Sequence, residues 1–313
     1  MRNRFLITAY LLLASLGPAA VCAAQAGGDG GMTLSLAVNE VSLTFHVSDA
    51  QGAPLEDLAQ ADFKLFDNGK PQTRIVEFQS AHDLPIRAGI LMDTSISMAG
   101  GEGSTVNVVT EYLARYFRAL TDQAFVMRFD VETHMAADWS KDPGRLEDGL
   151  HAAAHEAGRG ADGTAIFDSI YKACRDQWPS GSGLETGNLI LLFTDGDDNL
   201  SHARIADVID RCQRSRTAVY AFIDVPKSKG MRGQQTLQQL TGQSGGRIFY
   251  QGNQEQIDAD LEKMVIDQRS QYRLAYKPLE LKRDGSFHRI ALLCSTPQSV
   301  IQSRSGYYAA ARR

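Results

Sequence analysis

The sequence has no excess of positive charge. Its 313 residues hold 32 Lys plus Arg against 37 Asp plus Glu, a formal net charge of −5. Nucleic-acid backbones are bound through a basic surplus, so no nucleic-acid partner is expected. Cysteine is scarce, with only Cys22, Cys174, Cys212 and Cys294. None forms a CxxC pair or a Cys/His cluster, so a structural zinc site is not expected. The absence of GxxxxGK[ST] removes a P-loop nucleotide site, and the absence of GxSxG removes the serine-hydrolase elbow. Long apolar runs are missing too. The longest, near the N-terminus, is about a dozen residues, against about 20 for a membrane-spanning helix.

That run has the order of a secretory signal peptide. Arg2 and Arg4 form the basic start, Phe5 to Leu16 the apolar core, and Gly17-Pro18 leads into small residues. Val21 and Ala23 suit the −3 and −1 positions, so residues 1–23 are expected to be cleaved after Ala23. Cys22 raises lipidation, but Ala19-Ala20-Val21 lacks the leucine and the small residue that signal requires. A secreted or periplasmic protein with no membrane span in its mature chain is the expectation. Three cysteines then remain. In an oxidising compartment an odd number leaves at least one free thiol or an intermolecular bond. Cys174 and Cys212 lie in helical patterns and Cys294 in a strand pattern. All three are expected to pack as small apolar side chains, with no pairing assigned.

With 43% hydrophobic and 22% charged residues, the rest is an ordinary globular chain. Residues 24–31 are Gly-rich and expected to be flexible. Residues 32–83 read as strands. Leu34, Leu36, Val38 and then Val41, Leu43, Phe45, Val47 alternate with mostly polar partners, and Asn68-Gly69 signals a hairpin turn. From 84 to 268 short apolar runs such as Leu189 to Phe193 alternate with amphipathic helical stretches, the pattern of a sheet covered on both faces. Strands return over 269–313, with Asp284-Gly285 as a second hairpin turn. The expected fold class is α/β: a doubly wound, mostly parallel sheet, inserted in or flanked by a small β-sandwich built from the N- and C-terminal strands.

Oxygen-bearing side chains gather where the apolar runs end. Asp93, Ser95 and Ser97 follow the run ending at Met92. Gly163-Thr164 opens a helical stretch. Thr194-Asp195-Gly196 follows Phe193. In an open α/β sheet, ligands bind outside the carboxyl ends of the strands. Two carboxylates and three hydroxyls suit a hard divalent cation, which takes oxygen ligands and retains some water. If the hydroxyls bind directly and a carboxylate acts through water, the ion keeps an open, electrophilic position. Mg2+ is the expected ion, with Mn2+ or Ca2+ as substitutes.

These three loops, in this order, resemble the metal-ion-dependent adhesion site of von Willebrand factor type A domains. The resemblance covers residues 84–268. It implies Asp93, Ser95, Ser97, Thr164 and Asp195 as metal ligands, and a protein partner that presents an Asp or Glu carboxylate to the ion. The flanks resemble a narrower group, the secreted bacterial VWFA-related proteins of acidobacterial type. Ala61-Asp-Phe-Lys-Leu-Phe-Asp-Asn-Gly-Lys-Pro-Gln72, Met127-Arg-Phe-Asp130, Gln271-Tyr-Arg-Leu-Ala-Tyr276 and Gly306-Tyr-Tyr308 carry that likeness.

Blander roles compete for the same residues. Asp93, Ser95 and Ser97 also suit the N-cap of a following helix. Asp197 and Asp198 suit an outer shell around Asp195 or solvated turn positions, the turn being the expectation. Asp130 suits a turn or a support for the site. Tyr307 and Tyr308 are expected to pack in the sandwich, and His134, His151, His155, His202 and His288 to lie on the surface or in packing. A haloacid-dehalogenase-like phosphatase would need an acid two residues after its nucleophile, where this chain has Ser95. No enzymatic activity is expected. A binding protein of adhesion type is the leading reading, and a scaffold subunit of an envelope assembly the alternative.

Overall fold

The computed structural model describes residues 40–100, 102–159, 162–178, 186–223, 232–250, 254–280 and 284–309. The expected signal peptide over 1–23, the Gly-rich segment and the strand expected at Leu34 to Val38 lie outside the described residues. Among those described, no helix is long and apolar enough to cross a membrane.

The chain opens with β1 (Val41–Ser48), β2 (Phe63–Asp67), β3 (Lys70–Gln72) and β4 (Ile75–Ala81). It continues through β5 (Ile86–Asp93), α1 (Glu102–Arg115), β6 (Gln123–Phe129), β7 (Thr133–Ser140), α2 (Pro143–Glu156) and α3 (Ile166–Asp176). Next come β8 (Gly187–Thr194), α4 (Ile205–Arg214), β9 (Thr217–Ile223), α5 (Arg232–Ser244), β10 (Ile248–Tyr250) and α6 (Gln254–Arg269). It closes with β11 (Gln271–Tyr276), β12 (Phe287–Cys294), β13 (Val300–Ser303) and β14 (Gly306–Tyr308).

Six strands form a central sheet in the order β10-β9-β8-β5-β6-β7. All neighbours are parallel except β7, which is antiparallel at the edge. Every residue of β8 is buried because both faces are covered. Leu189, Leu191 and Phe193 face a core completed by α1, α2 and α6, while Ile190 and Leu192 face one completed by α3, α4 and α5. Strand order runs outward to β6 on one side of β5 and to β9 on the other. The reversal therefore falls between β5 and β8, and in open α/β sheets ligands bind at the carboxyl ends of the strands at such a point.

Two smaller antiparallel sheets, β13-β1-β11-β4 and β14-β12-β2-β3, flank this core. Strands from before and after the central sheet interleave in them: β1 sits between β13 and β11, and β12 sits beside β2. Their shared interior includes Leu43, Phe45, Phe63, Leu65, Tyr272 and Leu274.

Local chemistry sets several boundaries. Asn68 and Gly69 both take positive φ, 49° and 78°, as a tight two-residue hairpin demands. The returning strand is only β3, after which β4 crosses to the other sheet. The hairpin expected at Asp284-Gly285 is corrected. Gly285 does turn, with φ 74°, but β11 and β12 lie in different sheets and do not pair. Helix α2 begins at Pro143 because Asp142 caps it, accepting from the Gly144 N–H at 3.0 Å with Pro143 at the first position. Helix α1 stops at Arg115. The Tyr116 carbonyl is taken by the Arg269 guanidinium at 2.9 Å, and the Arg118 N–H by Asp122 at 2.9 Å.

The cysteines are not all unpaired. Cys174 of α3 and Cys212 of α4 form a disulfide, both fully buried, and Cys294 is a free thiol, the only one among the described residues. Tyr308 also departs from expectation. Tyr307 packs with the sandwich interior, whereas Tyr308 packs against the core around α3 and α4.

Candidate functional site

Asp93 is the last residue of β5 and is fully buried. Its Oδ1 accepts from the Ser95 N–H at 3.0 Å and the Ser95 hydroxyl at 2.6 Å. Its Oδ2 accepts from the Thr194 hydroxyl at 2.6 Å. Among the described residues no Lys, Arg or His approaches it. Burial raises its pKa to about 6; these hydrogen bonds oppose the rise and the nearby charge of Asp195 adds to it.

The bond to Asp93 decides what Ser95 can do. Its single hydroxyl proton goes to Asp93, so Ser97, 3.1 Å away, donates to Ser95. Both oxygens keep lone pairs for another ligand. Ser95 does not cap the short turn that follows, because no capping bond forms from its side chain. The N-cap role considered for this loop is therefore not the one Ser95 takes.

Hydrogen bonds tie the other two loops to the first. Thr194 spans from Asp93 to the Gly196 N–H, which it accepts at 3.1 Å. Gly196 has φ 90°, a left-handed turn that lets the chain leave β8 sharply. Asp195 accepts from the Asp197 N–H at 3.1 Å and remains partly exposed. Thr164 is buried, and its N–H donates to the Asn199 side chain at 2.8 Å. Its carbonyl accepts from the Asn199 and Leu200 N–H groups, each at 3.1 Å. Gly163 holds φ 137°, a conformation that side chains rarely adopt, and a Cβ there would press on the Leu200 side chain. The Thr94 N–H donates to the Phe129 carbonyl and the Ala165 N–H to the Asp130 carbonyl, both at 2.8 Å. Asp130 thus builds the turn after β6, where it also accepts from Glu132, and that turn carries the second loop.

Asp198 is neither a free turn residue nor an evident shell around Asp195. It accepts from the Ser201 hydroxyl at 2.5 Å and from the Phe167 N–H at 3.3 Å. Ser201 accepts from the Phe167 and Asp168 N–H groups. Helix α3 has no cap of its own at Ala165, so the third loop caps it. Asp168 replies by accepting from the His202 and Ala203 N–H groups. Sequence reasoning missed Thr194, Asn199 and Ser201 as supports. Their polarity in a run after a buried strand was the available signal.

The candidate donors comprise two carboxylates and three hydroxyls, a hard oxygen set that fits a divalent cation. Among the described residues no three His, Cys, Asp or Glu side chains cluster as a metal site, so any ion here relies on the hydroxyls. Exposed aliphatic residues belong to the same loops: Ile96 between the two serines, Leu200 against Gly163, and Val131 in the turn after β6.

No family model matches this chain, and no curated protein matches it. Solved structures resemble it distantly and in part. One is proximal thread matrix protein 1 of the mussel byssus, at 16% identity and TM-score 0.48 over 60% of this chain and 48% of the mussel protein. A further structure of that protein is described with a zinc-occupied MIDAS motif, at 14% identity and TM-score 0.47. The chain spans about half the length of the mussel protein. Another is the conserved hypothetical protein BatB of Bacteroides thetaiotaomicron, at 14% identity and TM-score 0.44 over 57% of this chain and 96% of BatB. An aerotolerance-related membrane protein of Bacteroides fragilis gives 16% identity and TM-score 0.44 over 57% of this chain and all of that chain.

Proposed function

We propose that the protein is a secreted or periplasmic binding protein whose divalent-cation site at Asp93, Ser95, Ser97, Thr164 and Asp195 receives an Asp or Glu carboxylate of a protein partner. The observation that carries this reading is Asp93. A fully buried carboxylate stands at the topological switch point with hydroxyl and N–H donors but no cationic partner among the described residues. A bare charge in such a place is costly. Its orientation of Ser95, and through Ser95 of Ser97, leaves hydroxyl lone pairs free for an ion. A bound Mg2+ or Mn2+ would supply the missing positive charge and one open coordination position for the partner's carboxylate. Ser95, Ser97 and Thr164 would hold it, with Asp93 and Asp195 behind them. Ile96, Val131 and Leu200 would then favour a partner with apolar side chains beside its carboxylate.

The test is calorimetric titration of the metal-stripped mature chain with Mg2+, Mn2+ and Ca2+, followed by a peptide carrying one glutamate. One saturable metal site, lost in Asp195→Asn, and peptide binding only in the loaded protein are expected. Peptide binding that persists in chelator would sink the reading. The same assay separates reversible adhesion from permanent scaffolding, since only the former dissociates readily when metal is withdrawn.

A further inference from the structure

The sheet β14-β12-β2-β3 turns one face to the sandwich interior and the other outward. Alternation along its strands separates the two. Phe63, Leu65, Asp67, His288 and Ile290 are buried, and Lys64, Phe66, Arg289, Ala291 and Leu293 alternate with them on the outward side. The outward face of such a sheet normally meets water and is polar. Here it is apolar across three strands. The register sets Pro71, Phe66 and Ala291 side by side, with Leu293 in the next row and 54% exposed. Among the described residues Phe66 belongs to none of the three apolar cores. A single exposed leucine is ordinary, but adjoining apolar residues mark a contact surface.

The same face already serves as a contact surface at its β14 end. Phe287 and Tyr308 pack there with ring centroids 5.1 Å apart, and Tyr308 joins the core around α3 and α4. From Arg289 onward the outward positions of β12 are exposed. Charge indicates what would cover them. Lys64 stands beside Leu293, and Arg289 lies one row beyond Ala291. Both are exposed, and among the described residues neither side chain has a hydrogen bond or ion pair. Lys70 at the sheet edge differs, being paired with Glu280. No Asp or Glu occupies an outward position of β2, β3 or β12, in a chain whose net charge is −5. The two free cations lie four residues apart in register, about 14 Å along the strands.

We propose that this face docks an extended, acidic segment of a protein partner. In an extended chain every second side chain points the same way. An apolar residue would seat against Phe66 and Ala291, and an Asp or Glu two residues to either side would meet Lys64 and Arg289. The apolar contact supplies affinity, and the spaced charges supply register and choice of partner. A second copy of this chain packed symmetrically would set Lys64 and Arg289 against like charges, which disfavours it. The surface is separate from the loops around Asp93, so it stands whether or not those loops bind a cation.

The test uses the mature chain, kept in chelator so that the loops around Asp93 take no part. The probe is a fluorescent, end-blocked nine-residue peptide with leucine at its centre, glutamate two residues to each side, and serine or threonine elsewhere. Binding is followed by fluorescence anisotropy. Lys64, Arg289 and Leu293 are exposed, so their substitution spares the interior, and matched urea midpoints check that the fold is kept. Saturable binding is expected, weakened roughly fivefold in Lys64→Glu and in Arg289→Glu and roughly threefold or more in Leu293→Ser. Asp195→Asn should bind the peptide as the parent does. No saturable binding, equal binding of a peptide with lysine in place of glutamate, or affinities unchanged in all three variants would overturn the assignment. So would binding to phosphatidylglycerol vesicles in place of the peptide, or a dimer in sedimentation that Leu293→Ser dissolves, since each gives the face a different occupant.

Discussion

Strand β5 starts beside one buried carboxylate and ends on another, and the two are provided for differently. Asp122, before β6, accepts from the Ile86 N–H at 2.9 Å, the Arg118 N–H at 2.9 Å and the Arg269 guanidinium at 2.6 and 3.2 Å. Arg269 also donates to the carbonyls of Leu84 and Tyr116. That end of the sheet is a closed unit with its countercharge built in, and it fastens the end of α6 beneath β5. Asp93, at the other end, has hydroxyl and N–H donors only. Both side chains are fully buried. The difference separates a carboxylate whose countercharge is built into the fold from one that has none among the described residues.

The largest expected effect breaks the closed end. Arg269→Ala leaves Asp122 buried without its countercharge, and urea unfolding should register a loss of about 3–5 kcal/mol whether or not metal is present. A loss below about 1 kcal/mol would make the two ends alike. Next comes the disulfide, which joins α3 and α4, the helices that follow the second and third site loops. Reduction of Cys174–Cys212, closing 38 residues of sequence, should lower stability by about 3 kcal/mol in the same assay.

Asp93→Asn should act in the opposite direction from Arg269→Ala. The folded pKa of Asp93 is raised to about 6 from 3.8, so the folded state holds the proton more tightly than the unfolded one. The metal-free parent should therefore lose stability as pH rises between about 4 and 6, by on the order of 3 kcal/mol from this group. Asp93→Asn should lack that loss and, above pH 6, be as stable as the metal-free parent or up to about 2 kcal/mol more so. Paired unfolding curves at pH 4 and pH 7 check the sign. Smaller still, Ser97→Ala removes one exposed hydroxyl, and should change metal-free stability by less than about 0.5 kcal/mol while weakening Mn2+ roughly tenfold.

Much of the central sheet could be read from residue order, because strands buried on both faces carry continuous apolar runs and their helices carry amphipathic periods. The Asn68-Gly69 turn was legible for the same local reason. The sandwich was harder. Which strand pairs with which depends on contacts between residues more than two hundred positions apart, such as Leu43 with Leu274, so the crossing of β4 and the place of β12 left no local mark. At the candidate site, Asp93 and Asp195 stand at the ends of β5 and β8 and Thr164 just before α3, positions that follow from the order of the apolar runs, yet the residues that support these loops did not announce themselves. Asp198 looked like a solvated turn residue because nothing local shows that α3 lacks a cap. The pairing of Cys174 with Cys212 depends on α3 lying beside α4, and the Asp122–Arg269 pair joins residues that are distant in sequence.

The most direct test measures the unfolding free energy of the metal-stripped chain at pH 7, with and without millimolar Mn2+, beside Asp93→Asn. Mn2+ should stabilise the parent by about 2–3 kcal/mol if present near a hundredfold above its dissociation constant, and should leave Asp93→Asn unmoved. A parent indifferent to Mn2+, Mg2+ and Ca2+ alike, or an Asp93→Asn variant stabilised as much as the parent, would contradict the claim that the open end of β5 is completed by a cation.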